Sequence, residues 1–182
     1  RYVHFLPDTK QLLTYGLTTA FIRDLSGKPL LEWPNPDSEY FNNIVVSPNE
    51  QLFCDFYFRG AGEPIRIFNS KGKVLSQWQA HEKKTTSVAF SPDNQLLLTV
   101  SMREEARLWD LKGQLLLQLK FDGQFRNAVF SPDGRYIAAY ETYGPVRILN
   151  LAGDVIATTA KSANYSDIQF STDGKYLAIS DK

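Results

Sequence analysis

A short turn motif recurs five times along the chain at a nearly constant interval. Each copy joins an apolar residue to a short polar turn, in most copies Ser-Pro followed by Asp or Asn, and successive copies are 41, 44, 40 and 40 residues apart. The copies are Phe5-Leu6-Pro7-Asp8, Val46-Ser47-Pro48-Asn49, Phe90-Ser91-Pro92-Asp93, Phe130-Ser131-Pro132-Asp133 and Phe170-Ser171-Thr172-Asp173. Self-similarity at one period indicates a repeat architecture, in which each repeat is a supersecondary unit that buries its apolar face against its neighbours.

A second motif keeps step with the first. A short β-type run, a polar residue and a glycine occupy residues 20–27, 65–72, 106–113 and 146–153. From the proline of the turn motif to this glycine the chain runs 20, 24, 21 and 21 residues. A period of about 40–45 residues is typical of the four-stranded blades of a β-propeller. Two motifs in step therefore predict an all-β fold.

Each repeat is predicted to contain four strands, a to d. The turn motif joins strands a and b, because proline presets φ at the second position of a type I turn and glycine suits the fourth, as in Ser131-Pro132-Asp133-Gly134. The glycine of the second motif turns strand c into strand d. Strand b contains nearly continuous apolar runs, for example residues 136–140, which indicate a sheet covered on both faces.

These boundaries predict one repeat array over residues 1–182, with about 18 antiparallel strands. Complete blades are expected near residues 1–33, 43–78, 86–120 and 126–159, and a partial blade at 166–182. Residues 104–107 have the helical propensity of a Glu-Glu-Ala-Arg segment. Their alignment with the β-rich segments at 65–68 and 146–149 predicts a strand there instead.

The balance of charges bears on the kind of partner that the chain binds, and the cysteine content bears on its cellular compartment. Lys plus Arg and Asp plus Glu both number 20, so no basic excess favours a nucleic acid or an anionic membrane. Cys54 is the only cysteine, which agrees with a reducing, cytoplasmic location. The chain begins at Arg1 and stops within a repeat. We interpret it as a piece of a longer protein.

Two stretches resemble the WD-repeat β-propeller family. Residues 88–93, Val-Ala-Phe-Ser-Pro-Asp, and residues 107–110, Arg-Leu-Trp-Asp, are close to the repeat pattern of that family, and the likeness extends in degenerate form over the whole chain. The resemblance implies a closed ring, commonly of seven blades, of which this chain would form about four and a half. It also implies a non-catalytic scaffold that mediates protein–protein interaction.

The family ties each blade together with a histidine, a serine or threonine, an aspartate and a tryptophan. In the third repeat His81, Ser101 and Trp109 match these positions, and Asp110 completes the Trp-Asp pair, but Arg103 stands where the aspartate is expected. The resemblance therefore implies that this hydrogen-bond network is absent or rebuilt.

No pattern in the sequence predicts catalysis, a cofactor or a metal. The only histidines are His4 and His81, and no Gly-x-Ser-x-Gly elbow occurs. Residues 60–65 begin like a dinucleotide loop but lack its third glycine, which favours a hairpin tip. The alternative function is an accessory or gating propeller of an enzyme, a serine hydrolase or a signalling ATPase, whose catalytic part lies outside this chain.

Irregular connections between strands d and a and between b and c are predicted to lie on one face. Aromatic residues and arginine, the usual anchors of protein interfaces, cluster near them. The candidate protein-binding residues are Trp33, Tyr40, Phe41, Tyr57, Phe58, Arg59, Arg103 and Tyr143. In the alternative interpretation Trp33 and Phe41 are core positions at strand ends. The partner is a protein of unknown identity, and exposed blade faces would also favour self-association.

Arg66, Arg107 and Arg147 recur in strand c at steps of 41 and 40 residues. They would either form a basic ladder that faces a ligand, or pack their aliphatic stems on the blade while their heads reach water or turn carboxylates. We favour the second interpretation.

Overall fold

The predicted all-β fold is confirmed by a computed structural model, which describes residues 2–16, 18–34, 43–56, 62–101, 105–120, 124–142, 144–159 and 165–181. This part of the chain forms 18 strands in five antiparallel sheets. No helix in the described ranges is long and apolar enough to cross a bilayer.

The strands follow one another as sequential hairpins. In chain order they are β1 Tyr2–Leu6, β2 Gln11–Tyr15, β3 Thr19–Arg23, β4 Pro29–Pro34, β5 Asn43–Val46, β6 Leu52–Phe56, β7 Ile65–Asn69, β8 Val74–Trp78, β9 Thr85–Phe90, β10 Leu96–Ser101, β11 Ala106–Asp110, β12 Leu115–Leu119, β13 Gln124–Phe130, β14 Tyr136–Thr142, β15 Val146–Asn150, β16 Val155–Thr158, β17 Tyr165–Phe170 and β18 Leu177–Asp181. The first to fourth sheets hold four consecutive strands each, and β17 and β18 form a terminal hairpin. Strand β11 confirms the β prediction for residues 106 and 107 against their helical propensity.

Neighbouring sheets are stacked along the chain through their first strands. Strand β5 contacts β9, β9 contacts β13, and β13 contacts β17. The fourth strand of each sheet lies at its far edge. In this arrangement the hairpins a–b and c–d lie at one end of every sheet, and the connections b–c and d–a at the other.

Apolar layers between successive sheets form the core. Between the first and second sheets, Leu13, Ile22 and Trp33 pack with Phe53 and Phe68. The same arrangement recurs between the following sheets. A strand in the middle of the stack is buried on both faces, which explains the continuous apolar runs in strand b.

The turn between strands a and b has the predicted hydrogen bonds. The Gly134 amide donates to the Ser131 carbonyl at 2.9 Å, the Ser131 hydroxyl donates to Asp133 at 2.6 Å, and the Tyr136 amide donates to the Ser131 hydroxyl at 2.9 Å. Gly134 has a φ of +71°, which an L side chain rarely adopts. These local bonds set the register of the hairpin.

The turn between strands c and d requires glycine both for its positive φ and for the close approach of a side chain from the preceding sheet. Gly72 and Gly113 have φ values of +76° and +89°. A Cβ atom on Gly72 would lie 2.7 Å from the Cβ of Trp33, and one on Gly113 would lie 2.8 Å from Cδ2 of Trp78. The last strand of one sheet therefore packs its tryptophan on the turn glycine of the next sheet.

Candidate protein-binding face

Three strand-c arginines lie at the end of the sheets where strand b meets strand c. Arg66, Arg107 and Arg147 each pair with a carboxylate of their own sheet, respectively Asp55, Glu105 and Glu141. The heads of the three arginines thus reach carboxylates, but Asp55 and Glu141 lie in strands β6 and β14 rather than in turns, and Arg66 is buried away from water.

The pair in the second sheet is sealed from solvent. Asp55 and Arg66 face each other across β6 and β7, both side chains are 1% exposed, and Arg66 Nε donates to Asp55 Oδ1 at 3.0 Å. A second contact joins a terminal nitrogen of Arg66 to the other carboxylate oxygen. Burial, reinforced by the neighbouring Asp55, raises the pKa of the Cys54 thiol, so this thiol is held in its unreactive neutral form.

The pair in the third sheet belongs to a larger polar group. Glu105, with a side chain 4% exposed, pairs with Arg107, accepts from the Gln118 amide and lies 3.5 Å from Lys120 Nζ. Arg107 also donates to the Ala80 carbonyl at 2.7 Å, and its side chain remains 22% exposed. Its orientation is therefore set from two sides while part of it stays accessible to a partner.

A hydroxyl in the third sheet joins the histidine and the tryptophan that the sequence pattern singled out. Trp109 Nε1 donates to Thr99 Oγ1 at 2.9 Å, and His81 Nε2 lies 2.8 Å from the same oxygen. All three side chains are buried. Glu105 Oε1 lies 3.9 Å from His81 Nδ1, so a carboxylate from the start of strand c stands beside the histidine.

Two further residues that the sequence pattern singled out, Ser101 and Asp110, are described by the structure. Ser101 is buried two residues beyond Thr99 on β10. Asp110 caps the c–d turn, where its Oδ1 accepts from the amides of Lys112 at 2.9 Å and Gln114 at 2.8 Å. Arg103 lies outside the described residues.

An open cavity of about 310 Å³ lies beside this polar group. Among the described residues, its lining includes Glu82, Glu105, Arg107 and Lys120. In the next sheet Arg147 donates to Glu141 at 2.8 Å, and its side chain is also 22% exposed. This end of the third and fourth sheets therefore carries positive and negative side chains whose orientations are fixed by their ion pairs.

Of the residues predicted for this face, the structure describes Trp33. Trp33 is buried between the first and second sheets, with its ring 5.6 Å from that of Phe53, which is the core position of the alternative interpretation. The remaining candidates lie outside the described residues; they are Tyr40, Phe41, Tyr57, Phe58, Arg59, Arg103 and Tyr143.

Sequence reasoning did not select Glu82, Glu105 or Lys120. For Glu105 the sequence does contain a signal. Glu105 stands two residues before Arg107 at the start of a predicted strand, and alternate residues of a strand share a face, so the spacing predicts that the two side chains meet. Glu82 and Lys120 are brought beside it only by the stacking of strands. Within the described ranges, no group of three or more His, Cys, Asp or Glu residues has the arrangement of a metal site.

Comparison with known proteins agrees with this architecture. Residues 72–110 match the model of the WD domain, G-beta repeat. The chain is 41% identical over 56 residues to the Denticleless protein homolog of Danio rerio, which covers 29% of this chain and 9% of that protein. It is 28% identical over 78 residues to the WD repeat-containing protein slr1409 of Synechocystis sp., which covers 43% of this chain and 23% of that protein.

The matched segments thus span less than a quarter of either relative's length. The repeat that matches the family model runs from the c–d turn of the second sheet to the end of β11. The first, second and fourth sheets have the same four-strand order, and their c–d turns have the same positive-φ glycine. Residues 72–110 of this chain thus match a WD repeat, and the stacked four-stranded sheets around them are consistent with the blades of a propeller.

Proposed function

We propose that this chain is a non-catalytic scaffold within a longer protein and that it binds a protein partner through the end of the sheets where strand b meets strand c. WD-repeat domains generally serve as platforms for protein interaction, and this chain carries such a repeat. The specific observation that supports the proposal is the partly exposed Arg107, held against buried Glu105 beside an open cavity.

The fixed orientation of Arg107 favours recognition. Arginine is enriched at protein interfaces, and a side chain already ordered in the free protein loses less conformational entropy on binding. Glu82 and Lys120 add one charge of each sign at the cavity. This surface suits a polar peptide segment that carries complementary charges, and such charges contribute mainly to specificity and association rate.

Charge reversal at the cavity tests the proposal. The double variant Glu82→Lys with Lys120→Glu changes the cavity but leaves the buried Glu105 in place. A matched control is Arg135→Glu, whose side chain is 72% exposed at the opposite end of the sheets, on an a–b turn. Partners are captured from an extract of the source cell with the parent chain, identified by mass spectrometry and titrated individually by calorimetry.

We expect the cavity variant to lose at least about tenfold in affinity for a partner, which is about 1.4 kcal/mol, while the control binds like the parent. Equal binding by both variants would remove the cavity from the interface. The double variant Tyr57→Ala with Arg59→Ala tests the segment predicted from the sequence in the same way. If that variant and the cavity variant both retain every partner, the proposed face is wrong.

A further inference from the structure

A cleft of about 300 Å³ lies between the first and second sheets, at the end where the a–b and c–d turns lie. Leu31 and Phe53 are among its apolar walls, and Gln11 and Ser70 contribute neutral polar groups. Glu50 also lines it. This cleft is at the opposite end of the sheets from the cavity of the proposed function and is independent of it.

The cleft is open because the second sheet has a small residue at a turn position that holds leucine in the other four-stranded sheets. Their c–d turns carry Leu25, Leu111 and Leu151 directly after an aspartate or asparagine, whereas the second sheet has Ser70. Leu111 packs on the apolar core between the second and third sheets. The shorter Ser70 leaves the corresponding space between the first and second sheets open.

Glu50 is a buried anion in this lining. The residue is 5% exposed, and its carboxylate accepts from the Asp8 amide at 3.0 Å, the Thr9 amide at 2.9 Å and the Thr9 hydroxyl at 2.8 Å. Burial raises the pKa of Glu50, but these hydrogen bonds outweigh burial and bring the pKa below its ordinary value. The carboxylate is therefore ionised at neutral pH.

No described lysine or arginine forms an ion pair with Glu50. Lys10 and Lys71 adjoin lining residues in the sequence, and both are exposed to solvent. All three donors to the carboxylate are neutral groups. Because a buried charge without a counter-charge is destabilising, the cleft favours a ligand that brings a positive charge to Glu50.

A charge at this position is not needed to join neighbouring turns. In the third sheet Asn94 occupies the position of Glu50. Its neutral amide oxygen accepts from the Asn49 amide at 3.0 Å, just as Glu50 accepts from the Asp8 amide. In the fourth sheet the same position is Gly134, which has no side chain. The charge of Glu50 is thus available to a ligand rather than required by the turn.

The apolar walls of the cleft suit the stem of a long basic side chain. Lysine and arginine pack their carbon chains on apolar surface while their charged heads reach polar groups. Leu6, Ile22, Leu31 and Phe53 provide such a surface in the same cleft as Glu50. The neutral oxygens of the lining can accept further N–H groups of a guanidinium, which has five donors. A phosphate or carboxylate ligand would instead meet the like charge of Glu50.

We propose that the cleft between the first and second sheets binds a long basic side chain, arginine or lysine, presented by a segment of a partner protein. The charged head lies at Glu50, and the aliphatic stem packs in the space that Ser70 leaves open. Charge complementarity selects the head group, and the apolar walls select the length of the stem. The counterpart between the second and third sheets, with Leu111 and the neutral Asn94, is not expected to bind such a segment.

The first test selects short random peptides displayed on phage against the intact polypeptide as its cell produces it, and against two variants of it. Ser70→Leu introduces the residue type of the other c–d turns and closes the cleft, whereas Ser70→Ala leaves it open. We expect peptides that bind the parent and Ser70→Ala but not Ser70→Leu, each with an arginine or lysine. If no peptide depends on Ser70 in this way, or if the dependent peptides lack a basic residue, the proposal is wrong.

The second test removes the charge without closing the cleft. One selected peptide is synthesised with its basic residue and with norleucine in its place, and both forms are titrated by calorimetry against the parent and Glu50→Gln. We expect a loss of at least about tenfold in affinity when either charge is removed, and little further loss when both are removed. The norleucine peptide tests the charge on the unaltered protein, so the result does not depend on the folding of the variant. Equal affinity of both peptides for the parent would overturn the proposal.

Sedimentation of the intact polypeptide identifies the source of the basic side chain. We expect the parent and Ser70→Leu to have the same oligomeric state. Self-association that Ser70→Leu abolishes would place a basic side chain of a second copy in the cleft and would overturn the assignment to a partner protein.

Discussion

The hydroxyl of Thr99 joins two buried side chains that are distant in the sequence. Trp109 Nε1 and His81 Nε2 both reach it within 2.9 Å. Serine and threonine at alternate positions of β10, Thr99 and Ser101, point to the same side of the strand. The sequence therefore shows that hydroxyls are present on this side of the strand, and the structure places that of Thr99 between Trp109 and His81.

Removal of this hydroxyl should be costly. Thr99→Val keeps the shape of the side chain but leaves the indole N–H without its acceptor, and an unsatisfied buried polar group costs about 1–3 kcal/mol. Thr99→Ser retains the hydroxyl and loses one buried methyl, worth about 0.8 kcal/mol. In urea unfolding, Thr99→Val should therefore lose more free energy of unfolding than Thr99→Ser. A serine variant less stable than the valine variant would show that packing, not the hydrogen bond, dominates.

The Asp55–Arg66 pair should show strong coupling. Asp55→Asn leaves a buried guanidinium without its counter-charge, for which we expect a loss of about 3–5 kcal/mol in the free energy of unfolding. Glu141→Gln is the matched control, because Arg147 is partly exposed and water screens its loss. Arg66→Met should recover part of the loss in the double variant with Asp55→Asn. Additive effects in this cycle would show that the two side chains do not act as a pair.

At the scale of the element, the turn between strands a and b is specified locally. The hydroxyl of the motif serine and the carboxylate of the motif aspartate bind each other and the amides that follow, in the third and fourth sheets alike. These contacts span two to five residues, so a short motif suffices to predict the turn.

The turn carboxylates should contribute to stability in acid. The hydrogen bond from the Ser131 hydroxyl, followed by that from Arg135, lowers the pKa of Asp133 from 3.8 to about 2. A lowered pKa in the folded state stabilises the fold above the unfolded pKa of about 3.9 and loses this contribution as pH falls toward the folded value. Stability should therefore fall more steeply between pH 4 and pH 2 in the parent chain than in Asp133→Asn. Equal slopes in urea unfolding across that window would contradict the assignment.

The turn between strands c and d links neighbouring sheets through a glycine. Gly113→Ala should destabilise by the left-handed strain of about 1–2 kcal/mol and by the displacement of Trp78, whose ring lies 2.8 Å from the new Cβ. Gly134→Ala is the matched control, since its φ is also positive but its nearest described neighbour, Pro92, lies at an ordinary 3.6 Å. Thermal unfolding should show the larger loss for Gly113→Ala. Equal losses would mean that strain alone makes glycine necessary.

At the scale of the whole molecule, the two ends of the stack are unlike. The first sheet ends in Val3, Phe5 and Leu12, whereas the free face of the terminal hairpin carries Gln169 and Ala178. Apolar area supplies the driving force for association, and at the two ends of the stack it is concentrated on the first sheet.

This asymmetry predicts where a hydrophobic dye binds the isolated 182-residue chain. Val3→Thr with Phe5→Lys should remove most of the fluorescence of bound anilinonaphthalene sulfonate, because it places polar groups on the exposed apolar face. Ala178→Lys, at the other end, should leave the signal unchanged. Circular dichroism checks that the β structure is retained. An equal effect of both variants would contradict the assignment of the apolar end.

Part of the candidate face, the recurring arginines of strand c, could be identified from the sequence. The recurrence of Arg66, Arg107 and Arg147 left open a basic ladder or heads that reach water or turn carboxylates, and the structure pairs each head with a carboxylate of its own sheet. Glu105 was not selected from the sequence as the partner of Arg107, although the predicted strand places residues two apart on the same face. The position of Trp33 could not be predicted from the sequence, since an aromatic residue at a strand end is compatible with an interface anchor and with a core position.

The sequence by itself determined the number of strands, their order and the turns between them, because these depend on contacts within a few residues and on a period repeated along the chain. Only the tertiary structure decided which faces are covered. It placed Trp33 on Gly72 and Thr99 between His81 and Trp109. Those outcomes depend on how neighbouring sheets stack, and the residues that meet there are too far apart in the chain for any local pattern to specify.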